Sequence, residues 1–481
     1  MINWQWSVRH RVFIQRHDDN ETLCYSPQCT LAALVEAKRH YPALPLRMLM
    51  EEPFAEALRE RYEEQAGAQK IMQDLGHEWD LHRVVDTLPD STELLESDDG
   101  APVVKLINAL LHEAIKEGAS DIHIEPYEKA LVVRFRIDGM LREVLSPPRQ
   151  LTAYLLSRIK IMAQLDIAEK RVPQDGRIAL RLAGRSIDVR VSTLPASHGE
   201  RIVLRLLDKQ NLAQDLAQTG MRPPVYAALQ ALLTRPHGIF LVTGPTGSGK
   251  STTLYAALGQ LDSRRLNIMT VEDPVEFDLP GIGQTQVNPK VDMSFARGLR
   301  AILRQDPDVV MIGEIRDAET ASIAVQASLT GHLVLSTLHT NSAIGAIERL
   351  RDMGVEPFLL ANSLTGVLAQ RLVRRLCPHC RKQSKEAHPL LQSQGITQPV
   401  WQACGCAACQ QTGYRGRTGI HELIVINDDL RRAIASGTAG AALQHAICLA
   451  DGTLLQDGLA KALSGETSVE EILRVVQEQS G

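Results

Sequence analysis

The residues Gly244-Pro-Thr-Gly-Ser-Gly-Lys-Ser-Thr252 follow an apolar run, Gly238-Ile-Phe-Leu-Val-Thr243, and fit the template G-x-x-x-x-G-K-[ST] without a mismatch. Gly244, Gly247 and Gly249 let the backbone curl so that successive N–H groups face phosphate oxygens. The helix that follows offers its positive end to the same group. Lys250 adds a cation for the outer phosphates, and Ser251 a hydroxyl for Mg²⁺, which takes oxygen ligands. Gly244, Pro245, Thr246, Gly247, Ser248, Gly249, Lys250, Ser251 and Thr252 are thus predicted to hold a nucleotide.

Acids suited to the chemistry of that nucleotide come later. Asp306-Pro-Asp-Val-Val-Met-Ile-Gly-Glu-Ile-Arg-Asp317 is an apolar strand ending in an acid. Gly313 stands where many phosphate-loop enzymes put a Mg²⁺-coordinating Asp, which leaves Glu314 for the Mg²⁺ shell. Val271-Glu-Asp-Pro-Val-Glu276 ends another apolar run and offers Glu272, Asp273 and Glu276 to orient an attacking water. Glu272 is preferred as general base, although spacing alone does not rank the three. In Gly331-His-Leu-Val-Leu-Ser-Thr-Leu-His-Thr-Asn341, His332 and His339 bracket an apolar strand. With Ser336, Thr337 and Thr340 they suggest a polar strand end that senses the terminal phosphate.

A second constellation is built from sulfur. Cys377-Pro-His-Cys380 and Cys406-Ala-Ala-Cys409 form two C-x-x-C knuckles separated by a spacer, and four such thiolates suit a tetrahedral Zn²⁺ site. Redox work is the rival reading, and the pairing of knuckles favours structural zinc. Cys404 competes as a ligand by position, whereas Cys24, Cys29 and Cys448 lie beside no metal-like pattern.

These residues need a scaffold. The runs GIFLVT, NIMTVE, DVVMIGE and HLVLST alternate with helical segments such as SFARGLRAILRQ and DAETASIAVQASL, the rhythm of strand–helix units around a mostly parallel sheet. In such sheets ligands sit at the carboxyl ends of strands, where the motifs above fall. Upstream, APVVKLINALLHEAIKEG has helical spacing and stops at Gly118. LVVRFRIDG, RIALRLAG, RSIDVRVS and RIVLRLL then alternate apolar with polar residues, as strands with one buried face do. Water-facing positions explain most of their arginines, Arg134, Arg136, Arg177, Arg190, Arg201 and Arg205. One or two could stabilise phosphoryl-transfer charge from another domain.

The predicted fold class is α/β: a phosphate-loop NTPase core, RecA-like, with a smaller N-terminal α/β domain, a tetracysteine zinc module and a helical C-terminal tail. The expected division is a first domain over 1–88, an acidic linker over 89–100 and a second α/β domain over 101–222. The core follows over 223–376, the zinc-binding module over 377–425 and a helical subdomain over 426–481. With 481 residues the chain is long enough for about three domains. No apolar stretch approaches the roughly 18 residues of a membrane span, and the opening residues make a poor signal peptide, so a cytoplasmic location is expected. A net charge of −5 with only 4% aromatic residues speaks against nucleic acid as a partner.

The order of the phosphate loop, VEDPVE, DPDVVMIGEIRD, GHLVLSTLHTN and the paired cysteines resembles the secretion ATPase superfamily, and within it the type II secretion assembly branch. ASDIHIEP, RVPQDGRI, SIDVRVSTLPASHGERIVLRLLDK and TGYRGRTGIHE extend the resemblance over about residues 100–480. It implies ATP hydrolysis with Glu272 as the catalytic glutamate, Glu314 as the Walker B acid, and His332 and His339 as the histidine box. Arg177 and Arg190 would be phosphate-contacting arginines of a PAS-like second domain, and Gly313 is usual for the family. The implied cofactors are Mg²⁺ at Ser251 and Glu314, and Zn²⁺ at Cys377, Cys380, Cys406 and Cys409.

The resemblance also implies a homo-hexamer that turns hydrolysis into domain rotation. It would act on an inner-membrane platform protein to drive pseudopilus assembly and export across the outer membrane. The first domain would dock the cytoplasmic part of a membrane-anchored partner, which associates the chain peripherally with the inner membrane. A type IV pilus extension ATPase shares every motif, and LPASHGERIVLRLLDK favours the secretion branch. A DNA-transport ATPase and a nucleotide-gated scaffold without useful turnover are the readings from other classes.

Overall fold

A computed structural model describes residues 10–17, 20–41, 44–50, 53–54, 101–182, 185–208, 215–386, 388–392, 396–438, 440–447 and 449–477. They fall into two units, one drawn from 1–113, 147–158 and 182–184, the other from 114–146, 159–181 and 185–481. Trp4, Trp6, Trp79, Cys448 and the whole expected linker 89–100 lie outside the described residues.

In the first unit β1 (Val12–His17) pairs antiparallel with β2 (Asn20–Tyr25), which pairs parallel with β3 (Leu46–Met48). The helix Leu31–His40 starts at Thr30, whose hydroxyl accepts from the Ala33 amide.

The second unit holds two large sheets. The alternating arginine-rich segments form an antiparallel sheet in the order β6-β5-β4-β9-β8-β7. Its strands are β4 (Ala119–Pro126), β5 (Leu131–Ile137), β6 (Met140–Leu145), β7 (Gln174–Leu182), β8 (Arg185–Ala196) and β9 (Gly199–Asp208). Residues directly opposite share a face, and the register puts Arg136, Asp121, Arg205 and Arg190 in one cross-strand row. Asp121 and Glu125 are buried beneath these arginines, with Arg205 on Asp121 at 3.0 Å. Arg134 and Arg201 both pair with Glu125.

The core sheet runs β12-β11-β13-β14-β10-β15-β18, parallel except at the last pair. Its strands are β10 (Gly238–Thr243), β11 (Ile268–Glu272), β12 (Gly283–Gln286), β13 (Val309–Ile312), β14 (Leu333–Leu338), β15 (Leu364–Leu376) and β18 (Tyr414–Val425). The short strands β16 (Lys382–Gln383) and β17 (Trp401–Gln402) pair with each other in the cysteine module. All six residues of β10 are buried, as a continuous apolar run covered on both faces requires. Ile239 and Leu241 join the core under one face, Phe240 and Val242 the core under the other.

Two features differ from the reading of the sequence. Residues 414–425, assigned from sequence to the cysteine module, are the edge strand β18, so the module is inserted between β18 and its antiparallel neighbour β15. The tail is part of the core rather than an appendage, because Leu430, Ile434, Leu443, Leu454 and Val475 bury their side chains in the main apolar cluster.

Candidate nucleotide site

The site grows from the ends of β10, β11, β13 and β14. After Thr243 the chain turns through Gly244, Gly247 and Gly249, with φ of 154°, 79° and 87°, angles that side-chain-bearing residues rarely adopt. At Gly244 a Cβ would also stand 2.5 Å from the Gln370 carbonyl oxygen. The loop launches the helix Lys250–Leu258 with its free N–H groups toward a cavity of about 310 Å³. Residues 246–252 line that cavity together with Glu272, Asp273, Glu276, Glu314 and His339.

The Lys250 ammonium donates to the carbonyls of Gly244 and Pro245 at 2.8 and 3.1 Å. Burial pushes its pKa down to about 8, with Glu314 opposing and Arg371 adding to the fall. An ammonium meant to pair with phosphate would be lost as pH rises through that value. In a pH series, kcat/KM for ATP is therefore expected to fall above about pH 8, because that ratio reports the free enzyme.

Glu272 ends β11 with 3% exposure. Its carboxylate accepts from the Tyr255 hydroxyl, the Thr270 hydroxyl and, at 3.0 Å, the Gln284 amide. Burial, and next the bond to Glu272, raise the Tyr255 pKa, which keeps that hydroxyl a donor. The other two acids face cations: Asp273 lies 3.6 Å from Arg316 and Glu276 3.0 Å from Arg190. Glu314, just past β13, is flanked by Arg316 and by His339 Nε2 at 3.5 Å. Burial lowers the His339 pKa and Lys250 adds to it, so the ring is neutral at pH 7. A Cβ at Gly313 would lie 3.4 Å from Glu272 Cα, the Phe295 ring and the Val271 oxygen, which is ordinary van der Waals contact, so space alone does not require the glycine.

Three residues expected at the site lie elsewhere or face other groups. His332 is separated from His339 by the length of β14, about 20 Å of strand. Its Nδ1 lies 2.8 Å from the Ala327 carbonyl at the end of the helix Ala318–Leu329, and it does not line the cavity. Arg177 is bidentate to Asp188, which raises its pKa, burial opposing and Asp278 helping weakly. Arg190 reaches the VEDPVE segment rather than the phosphate loop, donating to the Val275 carbonyl at 3.1 Å beside its pair with Glu276. The residues the motifs did not point to are Tyr255, Gln284, Gln370 and Arg371. A signal existed for the last two, a polar pair inside the apolar run of β15.

Away from this cavity, the sulfurs of Cys377, Cys380, Cys406 and Cys409 lie within 4.8 Å of one another. Three of the separations are 3.9, 3.7 and 3.7 Å. A tetrahedron with metal–sulfur bonds of about 2.3 Å has edges of about 3.8 Å, so the donor set fits zinc. It does not fit a disulfide, whose sulfurs stand about 2.0 Å apart. The amides of Cys406 and Gly413 donate to Cys409 Sγ at 3.2 Å each, the outer bonds that orient a thiolate ligand. Cys404 is exposed, lies outside the cluster and drops out as a ligand.

A mostly parallel sheet with a phosphate loop after the interior strand β10 and acids at the ends of β11 and β13 defines a P-loop ATPase of the RecA-like class. The family model described as "Type II/IV secretion system protein" matches residues 96–474. "Type II secretion system protein E" of Klebsiella pneumoniae is 61% identical over 453 residues, 93% of this chain and 90% of that protein. "Type II secretion system ATPase E" of Vibrio cholerae serotype O1 is 57% identical over 486 residues, 99% and 97% of the two chains. The chain belongs to this type II secretion ATPase family. The crystal structure of the pilus retraction motor PilT with bound ADP superposes with a TM-score of 0.52 at 28% identity, over 76% of this chain and 95% of that one. The Legionella pneumophila ATPase DotB, at 20% identity over 76% and 94% of the two chains and a TM-score of 0.56, shares the fold. Among the described residues no helix is long and apolar enough to cross a membrane.

Proposed function

We propose that the chain is the hydrolytic motor of a type II secretion system and that ATP is cleaved in the cavity at the strand ends. The observation that carries this reading is the convergence of the phosphate loop, Glu272, Glu314 and His339 on one cavity. Lys250, held on two loop carbonyls, swings to the outer phosphates when ATP enters. Glu272 acts as the base that orients the attacking water. Its three neutral donors fix the carboxylate without cancelling its charge, whereas Asp273 and Glu276 face arginines. The Ser251 hydroxyl and Glu314 are oxygen donors on the same cavity and suit Mg²⁺, which neutralises phosphate charge when bound. His339 reports on the terminal phosphate, and His332 has no part in it.

Arg190 couples the arginine-rich domain to the VEDPVE segment, so that movement of that domain acts on the residues beside the base. In this reading a homo-hexamer turns such movement into work on an inner-membrane platform protein, which assembles a pseudopilus and drives export. Residues 1–88 dock a membrane-anchored partner, which keeps the chain at the cytoplasmic face of the inner membrane. The domains run 1–88, 101–222, 223–376, a cysteine module now ending near 413, and a helical tail.

Mg²⁺-dependent phosphate release by the purified full chain tests the reading. Stimulation by DNA at moderate salt would transfer it to the nucleic-acid motors. Zinc is the second proposed cofactor, closing the module through its four cysteines. Metal analysis is expected to find about one Zn²⁺ per chain, lost in Cys380→Ser together with a lower melting temperature. A fully active, metal-free protein would remove the site.

A further inference from the structure

We infer that Gln370 and Arg371, neighbours inside β15, are positioning residues that shape the phosphate loop from behind and tie it to the turn after His339. The inference rests on the reading of that loop as the ATP site. Gln370 is 2% and Arg371 3% exposed, in a strand whose other residues in this stretch are apolar. The Gln370 amide donates to the Ser248 carbonyl at 2.9 Å and accepts from the Thr253 hydroxyl at 2.7 Å. One side chain thus bridges the loop and the helix it launches. Its Nε2 also stands 2.8 Å from where a Cβ at Gly249 would be, so amide and glycine fit one another.

Arg371 extends the tie. Its guanidinium donates to the Gln370 carbonyl at 3.0 Å and to the Asn341 carbonyl at 2.6 Å. Asn341 follows Thr340, whose amide donates to the Thr243 hydroxyl at the end of β10 at 3.0 Å. The end of β10, the loop, β15 and the His339 turn are thereby joined in one hydrogen-bonded circuit.

A neutral amide could hold two carbonyls, and burying a guanidinium is costly, so the charge itself needs a use. Burial lowers the Arg371 pKa, with Glu422 opposing, and the cation in turn lowers that of Lys250 across the loop. A fixed positive charge behind a phosphate-binding loop stabilises anionic charge without touching it. A second cavity of about 260 Å³ is lined by Pro245, Gly247, Ser248, Asn341, Arg371 and Arg474, so the Arg371 side chain borders open space.

The test uses the full chain with Mg²⁺-ATP and three variants, Arg371→Ala, Arg371→Lys and Gln370→Met, with Arg375→Gln as a control on an exposed arginine of the same strand. Arg371→Ala and Gln370→Met are expected to lower kcat about tenfold or more while KM rises less than about threefold. Melting temperatures stay near wild type, Arg371→Lys recovers part of the rate, and added guanidinium recovers part of it in Arg371→Ala alone. Variants with kcat within about twofold of an active wild type overturn the inference. So does a loss of kcat that follows loss of folded protein and answers to neither lysine nor guanidinium. A wild-type chain that hydrolyses nothing overturns the ATPase reading instead, and so separates the two failures.

Discussion

Lys250→Ala is expected to lower ATP hydrolysis by about 100-fold or more while leaving the fold in place. The two halves of that expectation have separate causes. The ammonium is the one side-chain cation of the loop that lines the cavity, so its loss removes charge stabilisation at the outer phosphates. For stability the lysine is a burden, because burial disfavours its charged form. The carbonyls it leaves belong to a loop fixed by Gln370 and by its three glycines. Phosphate release and a thermal scan on the same preparation check both halves, and an unimpaired rate contradicts the assignment of the loop.

Glu272→Gln is expected to lower kcat by about 10²–10⁴-fold with KM for ATP changed only a few-fold, since removal of a general base acts on the chemical step. The substitution is nearly isosteric. Its cost falls on hydrogen bonding, because Tyr255, Thr270 and Gln284 all donate to the carboxylate and an amide can accept at one atom only. Glu276→Gln, which loosens the link to Arg190, is expected to act more weakly. A silent Glu272→Gln beside an inactive Asp273→Asn or Glu276→Gln would move the base along the segment.

Much of this site is legible in sequence because its parts are local. A phosphate loop is a contiguous strand, turn and helix, and each step leaves its mark in residue type: GIFLVT for a strand buried on both faces, three glycines for positive φ, Lys-Ser-Thr for the helix start. Glu272 and Glu314 were legible as acids closing apolar runs, and the parallel sheet followed from the alternation of those runs with helices. The cysteine cluster was legible from spacing because sulfur geometry at a tetrahedral metal leaves few alternatives.

Pairing across the chain was not legible. The stretch YRGRTGIHELIV alternates charged and small residues and follows two cysteines, so it reads as part of the module. Only its register against β15 shows it to be the sheet's edge. His332 and His339 look like one polar cluster in sequence, yet a β-strand extends about 3.3 Å per residue and holds them at opposite ends. Spacing left Arg190 among six arginines, and the resemblance that singled out Arg177 and Arg190 implied phosphate contacts, whereas the fold brings Arg190 to Val275 and Glu276. Tyr255 follows the phosphate-loop residues in a helix whose remaining turn is apolar, and nothing there announces a partner on β11.

Export of a type II-secreted enzyme from the native host, with the chromosomal copy replaced by wild type or by Glu272→Gln at equal protein levels, tests the motor reading most directly. Wild type is predicted to secrete the enzyme and Glu272→Gln to retain it inside the cell. Export that continues undiminished with Glu272→Gln, while the purified variant binds ATP and fails to hydrolyse it, would make the chain a nucleotide-gated scaffold and contradict the account.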